Sequence, residues 1–291
     1  MTVTPGHVFA RVQLLTAEIE LVRLEMGRPL DGRPPLLFRG AAPREVFFEA
    51  AALFRKADRL CFERTGEEGA LPHPPAVVEI EPMHVRGVVE AALMRVARVK
   101  HQLGIQEVSD SVDVVVGKEP SDVLNALFLC NRQINLLLEQ PFSPNDVYQL
   151  MTLAVGYAAR LVSHIGRKVP DLPAFERRKR PADVYARMWS VLGLLRTITT
   201  TSGLTMLEPG AQPYVDAHVA PSDVYDLSSL AISELVYLHS RVPALPPPTA
   251  AEFYEVGHKL PAHVFQRVGQ LEATLRELVA AVQVQPDVLR T

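Results

Sequence analysis

Cysteine is almost missing from this chain. Among 291 residues only Cys61 and Cys130 occur, which excludes a disulfide scaffold and a cysteine-rich metal site and reads as two free thiols buried on helices. An excess of one charge is missing too. With 30 Lys and Arg against 33 Asp and Glu, a formal net charge of -3 and a pI near 6.3, the chain has no overall electrostatic reason to bind nucleic acid or an anionic membrane. No apolar run approaches the roughly 20 residues that span a bilayer, and the first residues, MTVTPGHVF, lack a basic segment followed by an apolar one. No transmembrane segment is therefore expected. The expected compartment is the cytoplasm, or the periplasm if an export signal has been removed. Catalytic fingerprints are absent as well: the chain holds no G-x-S-x-G, no P-loop and no dinucleotide-binding glycine pattern.

What the chain does contain is a repeated helix. The stretch from Arg180 to Gly203 carries Pro181 where a first helical turn needs no N–H partner, and Asp183 among the free N–H groups at the positive end of the helix dipole. Val184, Met188, Val191, Leu192, Leu195 and Ile198 then fall on one helical face, and Gly203 closes the segment. Versions of the same scheme begin at Pro5, Pro43, Pro82, Pro120, Pro144, Pro181, Pro221 and Pro261, with spacings of 38, 39, 38, 24, 37, 40 and 40. In the fourth, the apolar face should run from Val123 through Leu127, Cys130 and Ile134 to Leu137 and Leu138. The connections are proline-rich and too broken for a partner helix, which argues against two-helix solenoid repeats. Only IQEVSDSVDVVVGKE, with Val112 and Val114 to Val116, looks capable of forming a strand. Near the end of the chain, Thr249 is a suitable cap and should start two helical turns around Ala250 to Val256.

The expected fold is all-α, with eight single-helix repeats of about 38 residues forming two tandem four-helix bundles, residues 1–141 and 142–291, that arose by internal duplication. The short spacing between Pro120 and Pro144 marks the junction. One continuous eight-helix domain is the alternative. Connections of about fifteen residues can reach roughly 50 Å against a helix of roughly 33 Å, so neighbouring helices are free to be parallel or antiparallel.

Chemistry-bearing residues are sparse. The third helical positions are His7, Glu45, His84, Asp122, Asp146, Asp183, Asp223 and His263, a set that could ligate metal if gathered but that capping explains more simply. The Glu-x-x-His pairs Glu81/His84 and Glu255/His258 lack the mid-helix glutamates of a di-iron bundle, so no metal or other cofactor is expected. The residue after each repeat valine is aromatic in Phe9, Phe47, Tyr148, Tyr185, Tyr225 and Phe265, and is Arg86 or Leu124 otherwise. These rings should be covered by a return loop; as a ligand rim, Tyr148, Tyr185 and Tyr225 with the hydroxyl of Thr199 are the candidates. Arg177, Arg178, Lys179 and Arg180 form the densest positive run and are candidates for an anion or partner contact.

These features point to a non-catalytic helical interaction or scaffold protein, of bacterial envelope or signalling type, presenting bundle surfaces to a protein partner. The alternative is a sensor domain that binds a small molecule or lipid in an apolar pocket inside a bundle.

Overall fold

A computed structural model of the chain describes residues 2–110, 112–210, 219–242, 245–248 and 257–289. The protein is all-α. Eight helices of at least sixteen residues lie among the described residues: α1 Pro5–Glu25, α2 Pro43–Thr65, α3 Pro82–Leu103, α4 Pro120–Asn135, α5 Pro144–His164, α6 Pro181–Thr201, α7 Pro221–Ser240 and α8 Pro261–Val284. Each begins at its proline. At all eight starts the third side chain accepts the backbone N–H of the residue before the helix, from Thr4 to His7 Nδ1 at 3.2 Å through Arg180 to Asp183 Oδ2 at 2.7 Å to Leu260 to His263 Nδ1 at 3.0 Å. The three histidines thus do the same work as the carboxylates, with Nδ1 as acceptor.

The chain divides into two compact units, Met1–Pro141 and Phe142–Thr291. In the first, α1 and α2 each pack against both α3 and α4; in the second, α5 and α6 each pack against both α7 and α8. Either unit is therefore a ring of four helices in which the chain crosses the diagonal from the first helix to the second and from the third to the fourth. The direction of the helices follows from their first turns. Pro5, Pro43, Pro82 and Pro120 meet with Val8, Val46, Val85 and Val123 around one shallow apolar depression of about 210 Å³, counted out to open solvent. Pro144, Pro181, Pro221 and Pro261 with Val147, Val184, Val224 and Val264 surround another of about 190 Å³. All four helices of a unit hence start at the same end and run parallel.

Below that valine layer the buried stripe advances in alternating steps of four and three residues. In α1 it is Val8, Val12, Leu15, Ile19 and Val22; in α6 it is Val184, Met188, Val191, Leu195 and Ile198, all buried. This is heptad spacing, suited to helices that cross at small angles.

Parallel neighbours require every connection to return the length of the unit, and side-chain contacts trace that return. After α1, Arg132 donates to the Pro34 carbonyl at 2.7 Å, Asn125 takes the Phe38 N–H at 2.8 Å, and Ser121 takes the Ala41 N–H at 3.0 Å. The connection thus climbs α4 from its last turn to its first. After α5 the same path follows α8, from the Arg167–Glu277 ion pair at 2.9 Å to the Pro173 carbonyl on Gln266 at 2.7 Å and Phe175 beside His263. After α3 the chain climbs α1: Ser109 N–H meets Glu18 at 3.0 Å, and the Val115 carbonyl lies against Gly6, where a Cβ would collide with it.

Two expectations need correction. Val112 and Val114 to Val116 form no strand: the segment runs along α1, with the Val115 carbonyl against Gly6, and no other extended segment among the described residues pairs with it. Helix α4 ends at Asn135, so Leu137 and Leu138 are buried beyond the helix rather than on it. The helical turns expected around Ala250 to Val256, with Thr249 as cap, lie outside the described residues.

Candidate functional site

Position on the repeat decides what each aromatic side chain touches. Tyr148, Tyr185 and Tyr225 are the fifth residues of α5, α6 and α7, beside the core stripe, and each is only 4–6% exposed. Tyr148 lies under two cations, with Lys259 Nζ 4.5 Å and the Arg267 guanidinium 4.9 Å from the ring centroid, and Arg267 also donates to its hydroxyl. Tyr225 meets Phe142 edge-on at 4.5 Å, and Tyr185 meets Trp189 at 6.2 Å. Each ring packs within its own set of neighbours. Thr199 is fully buried, and its hydroxyl donates to the carbonyls of Leu195 and Arg196 at 3.1 and 3.0 Å. The hydroxyl's proton is spent on its own helix.

A second pattern went unread in the sequence. Lys118, Lys179 and Lys259 each stand two residues before a starting proline, and each ammonium sits over the fifth-position ring of an adjacent helix, Phe9 at 4.5 Å, Phe265 at 4.1 Å and Tyr148 at 4.5 Å. Phe142, two residues before Pro144, does the same to Tyr225. The recurring K-x-P triplets, Lys118-Glu119-Pro120, Lys179-Arg180-Pro181 and Lys259-Leu260-Pro261, were the available signal. Each lysine ties the end of a return connection to a neighbouring helix by a cation–π contact.

The basic run splits accordingly. Lys179 is taken up by Phe265 and by Glu176 at 2.8 Å, whereas Arg177, Arg178 and Arg180 are exposed and their guanidinium groups meet no partner among the described residues. Arg180 is engaged through its backbone, its N–H by the Asp183 carboxylate and its carbonyl by the N–H groups of Asp183 and Val184. Earlier in the same connection Leu172 and Phe175 are 46 and 44% exposed, and Leu260, just before α8, is 50% exposed. The Phe175 ring lies tilted, its centroid 5.0 Å from that of His263, which holds the Leu260 N–H, so Phe175, Leu260 and the basic run share the helix-start end of the second unit.

The interior of the first unit holds a polar layer. Asn131 donates to Glu49 Oε1 at 2.6 Å between α4 and α2, both side chains being fully buried. Cys130 next to it is also fully buried; burial pushes its thiol up to about 12, against the weaker opposing pull of a Thr16 hydrogen bond and the charge of Lys56. A thiol buried and held protonated to that degree is a poor nucleophile at neutral pH. Among the described residues no group of three or more His, Cys, Asp or Glu is gathered as a metal site. Glu81 is exposed and gives its N–H to His84 at 3.0 Å, while Glu255 lies outside the described residues. The two apolar depressions are floored by proline rings, which supply no N–H donor for an anion. No helix among the described residues is long and apolar enough to cross a membrane.

Compared with protein-family models, curated proteins and solved structures, the chain matches none.

Proposed function

We propose that the protein is a non-catalytic helical scaffold that presents the surface of its units to a protein partner. One contrast carries this reading. The residues that could have lined an internal ligand pocket, Tyr148, Tyr185, Tyr225 and Thr199, are packed against their own neighbours, whereas Arg177, Arg178 and Arg180, three neighbouring guanidinium groups that meet no partner among the described residues, are exposed at the start of a helix. Binding energy offered to the outside suits a protein surface. A sensor holding a small molecule or lipid within a unit is the competing reading, and it would require Tyr148 to give up two cations.

Native mass spectrometry of freshly purified protein tests the proposal. The scaffold reading expects the bare chain mass and complexes that differ from it by whole polypeptides. A retained small molecule in stoichiometric amount would favour the sensor and overturn the scaffold.

A further inference from the structure

We infer that the helix-start end of the second unit, built around Arg177, Arg178 and Arg180, docks an acidic segment of a partner protein that carries apolar residues between its carboxylates. The inference rests on the scaffold reading and names the partner's chemistry.

Charge is the first argument. Four consecutive residues carry positive charge, Arg177 through Arg180, and the nearby carboxylates are already occupied: Glu176 by Lys179, and Asp183 by the Arg180 backbone N–H. Three guanidinium groups are left without a partner among the described residues, in a stretch that can extend no more than about 14 Å, each able to take a carboxylate in a two-pronged contact. The patch is local, set in a chain of net charge -3. A long polyanion or a charged membrane would feel the whole chain's field, while a short acidic segment feels the patch within about 8 Å of screening length.

Apolar surface is the second argument. Leu172 and Phe175 precede the arginines in the same connection and Leu260 stands at the start of the adjacent α8, all close to half exposed, so a segment made only of charge would leave them wet. An apolar anchor flanked by carboxylates covers both features.

The backbone is the third. Arg178 has φ of 62°, the only positive φ of a non-glycine residue among the described ones. Glycine would adopt this turn without strain, so the chain keeps an arginine side chain where its backbone would be better served by none. Arg178→Gly therefore separates binding from folding: it removes one guanidinium and relieves the turn.

The test uses the full chain and a fluorescein-labelled peptide that alternates glutamate pairs with leucine, read by fluorescence anisotropy, with a glutamine-for-glutamate peptide as control. The acidic peptide is expected to bind and the control not, with affinity falling as salt rises. Arg178→Gly should weaken binding by roughly two- to fivefold at unchanged or higher thermal stability, and Arg177→Glu with Arg178→Glu by more than about tenfold. Arg28→Glu, a change of charge in the first unit, should leave binding near that of the parent. Equal affinity of the Arg178→Gly protein overturns the inference. So does a chain that ignores the peptide, whether it binds nothing or binds phosphatidylserine vesicles or single-stranded DNA instead. A failed peptide experiment beside a native spectrum of protein complexes would remove this surface and leave the scaffold standing.

Discussion

Leu195 occupies the fifteenth position of α6 and is fully buried, as are its counterparts Ile19, Ala57, Val96, Ile134, Ala158, Leu235 and Leu275. Volume is shared unevenly around such a layer, large side chains facing alanines, so removing a large one leaves a hole that its neighbours cannot close. Leu195→Ala is expected to lower stability by about 2–5 kcal/mol in a denaturant titration; a loss below about 0.5 kcal/mol would mean that the layer repacks freely. The same packing protects sulfur. Cys61 and Cys130 are both fully buried, and Cys130 is held protonated by that burial. Native protein should therefore show no rapid reaction with Ellman's reagent, and two thiols should appear once denaturant is added. Fast labelling of either cysteine in the native state would show that the core opens locally.

At the scale of the element, the helices were legible and the connections were not. Pro181 and Asp183 announce a helix from their own chemistry, because a proline needs no partner in the first turn and an acid at the third position takes the N–H before it. Asp183→Ala should accordingly cost about 0.3–1.5 kcal/mol, read by thermal unfolding. The path of a return connection depends instead on pairs far apart in the chain, such as Asn125 with Phe38 or Glu18 with Ser109, and nothing local in either partner reveals the other. The basic run Arg177 to Arg180 was legible as a surface, but which of its members remained unpartnered depended on where Phe265 came to rest. The Glu18 strap makes a connection's hold measurable. Burial alone would raise this carboxyl, but hydrogen bonds from Lys100 and from Ser109, with the Lys100 charge, outweigh it and leave the group below its ordinary value of 4.5. A lowered carboxyl stabilises the fold above the ordinary value, and that contribution fades as pH falls through the lowered one. Acidification below about pH 4.5 should thus destabilise the protein. Glu18→Gln should make the decline shallower without abolishing it, since Glu20, Asp31 and Glu90 are also held low by arginines. An unchanged slope would show that the strap does not carry this charge.

Across the whole molecule, one design serves twice. Four parallel helices place their positive dipole ends together, which is unfavourable, and the acids at third positions, Asp146, Asp183 and Asp223 in the second unit and Glu45 and Asp122 in the first, offset it. The ring order is shared, α1-α3-α2-α4 in one unit and α5-α7-α6-α8 in the other, and so is the climb of the first connection along the fourth helix of its unit. We propose that the chain arose by duplication of a four-helix unit, so that Val8 corresponds to Val147, Val46 to Val184, Val85 to Val224 and Val123 to Val264. A duplicated unit must once have folded alone, and the buried stripe of each set of four helices is still continuous from its first turn to its last. Residues 1–141 and 142–291, produced separately, should each therefore give a helical circular dichroism spectrum and a cooperative thermal transition. Two fragments that are helical but melt without cooperativity, and sharpen only when mixed, would mean that neither core is complete by itself; the resemblance of the two halves would then reflect a repeat that folds as one body.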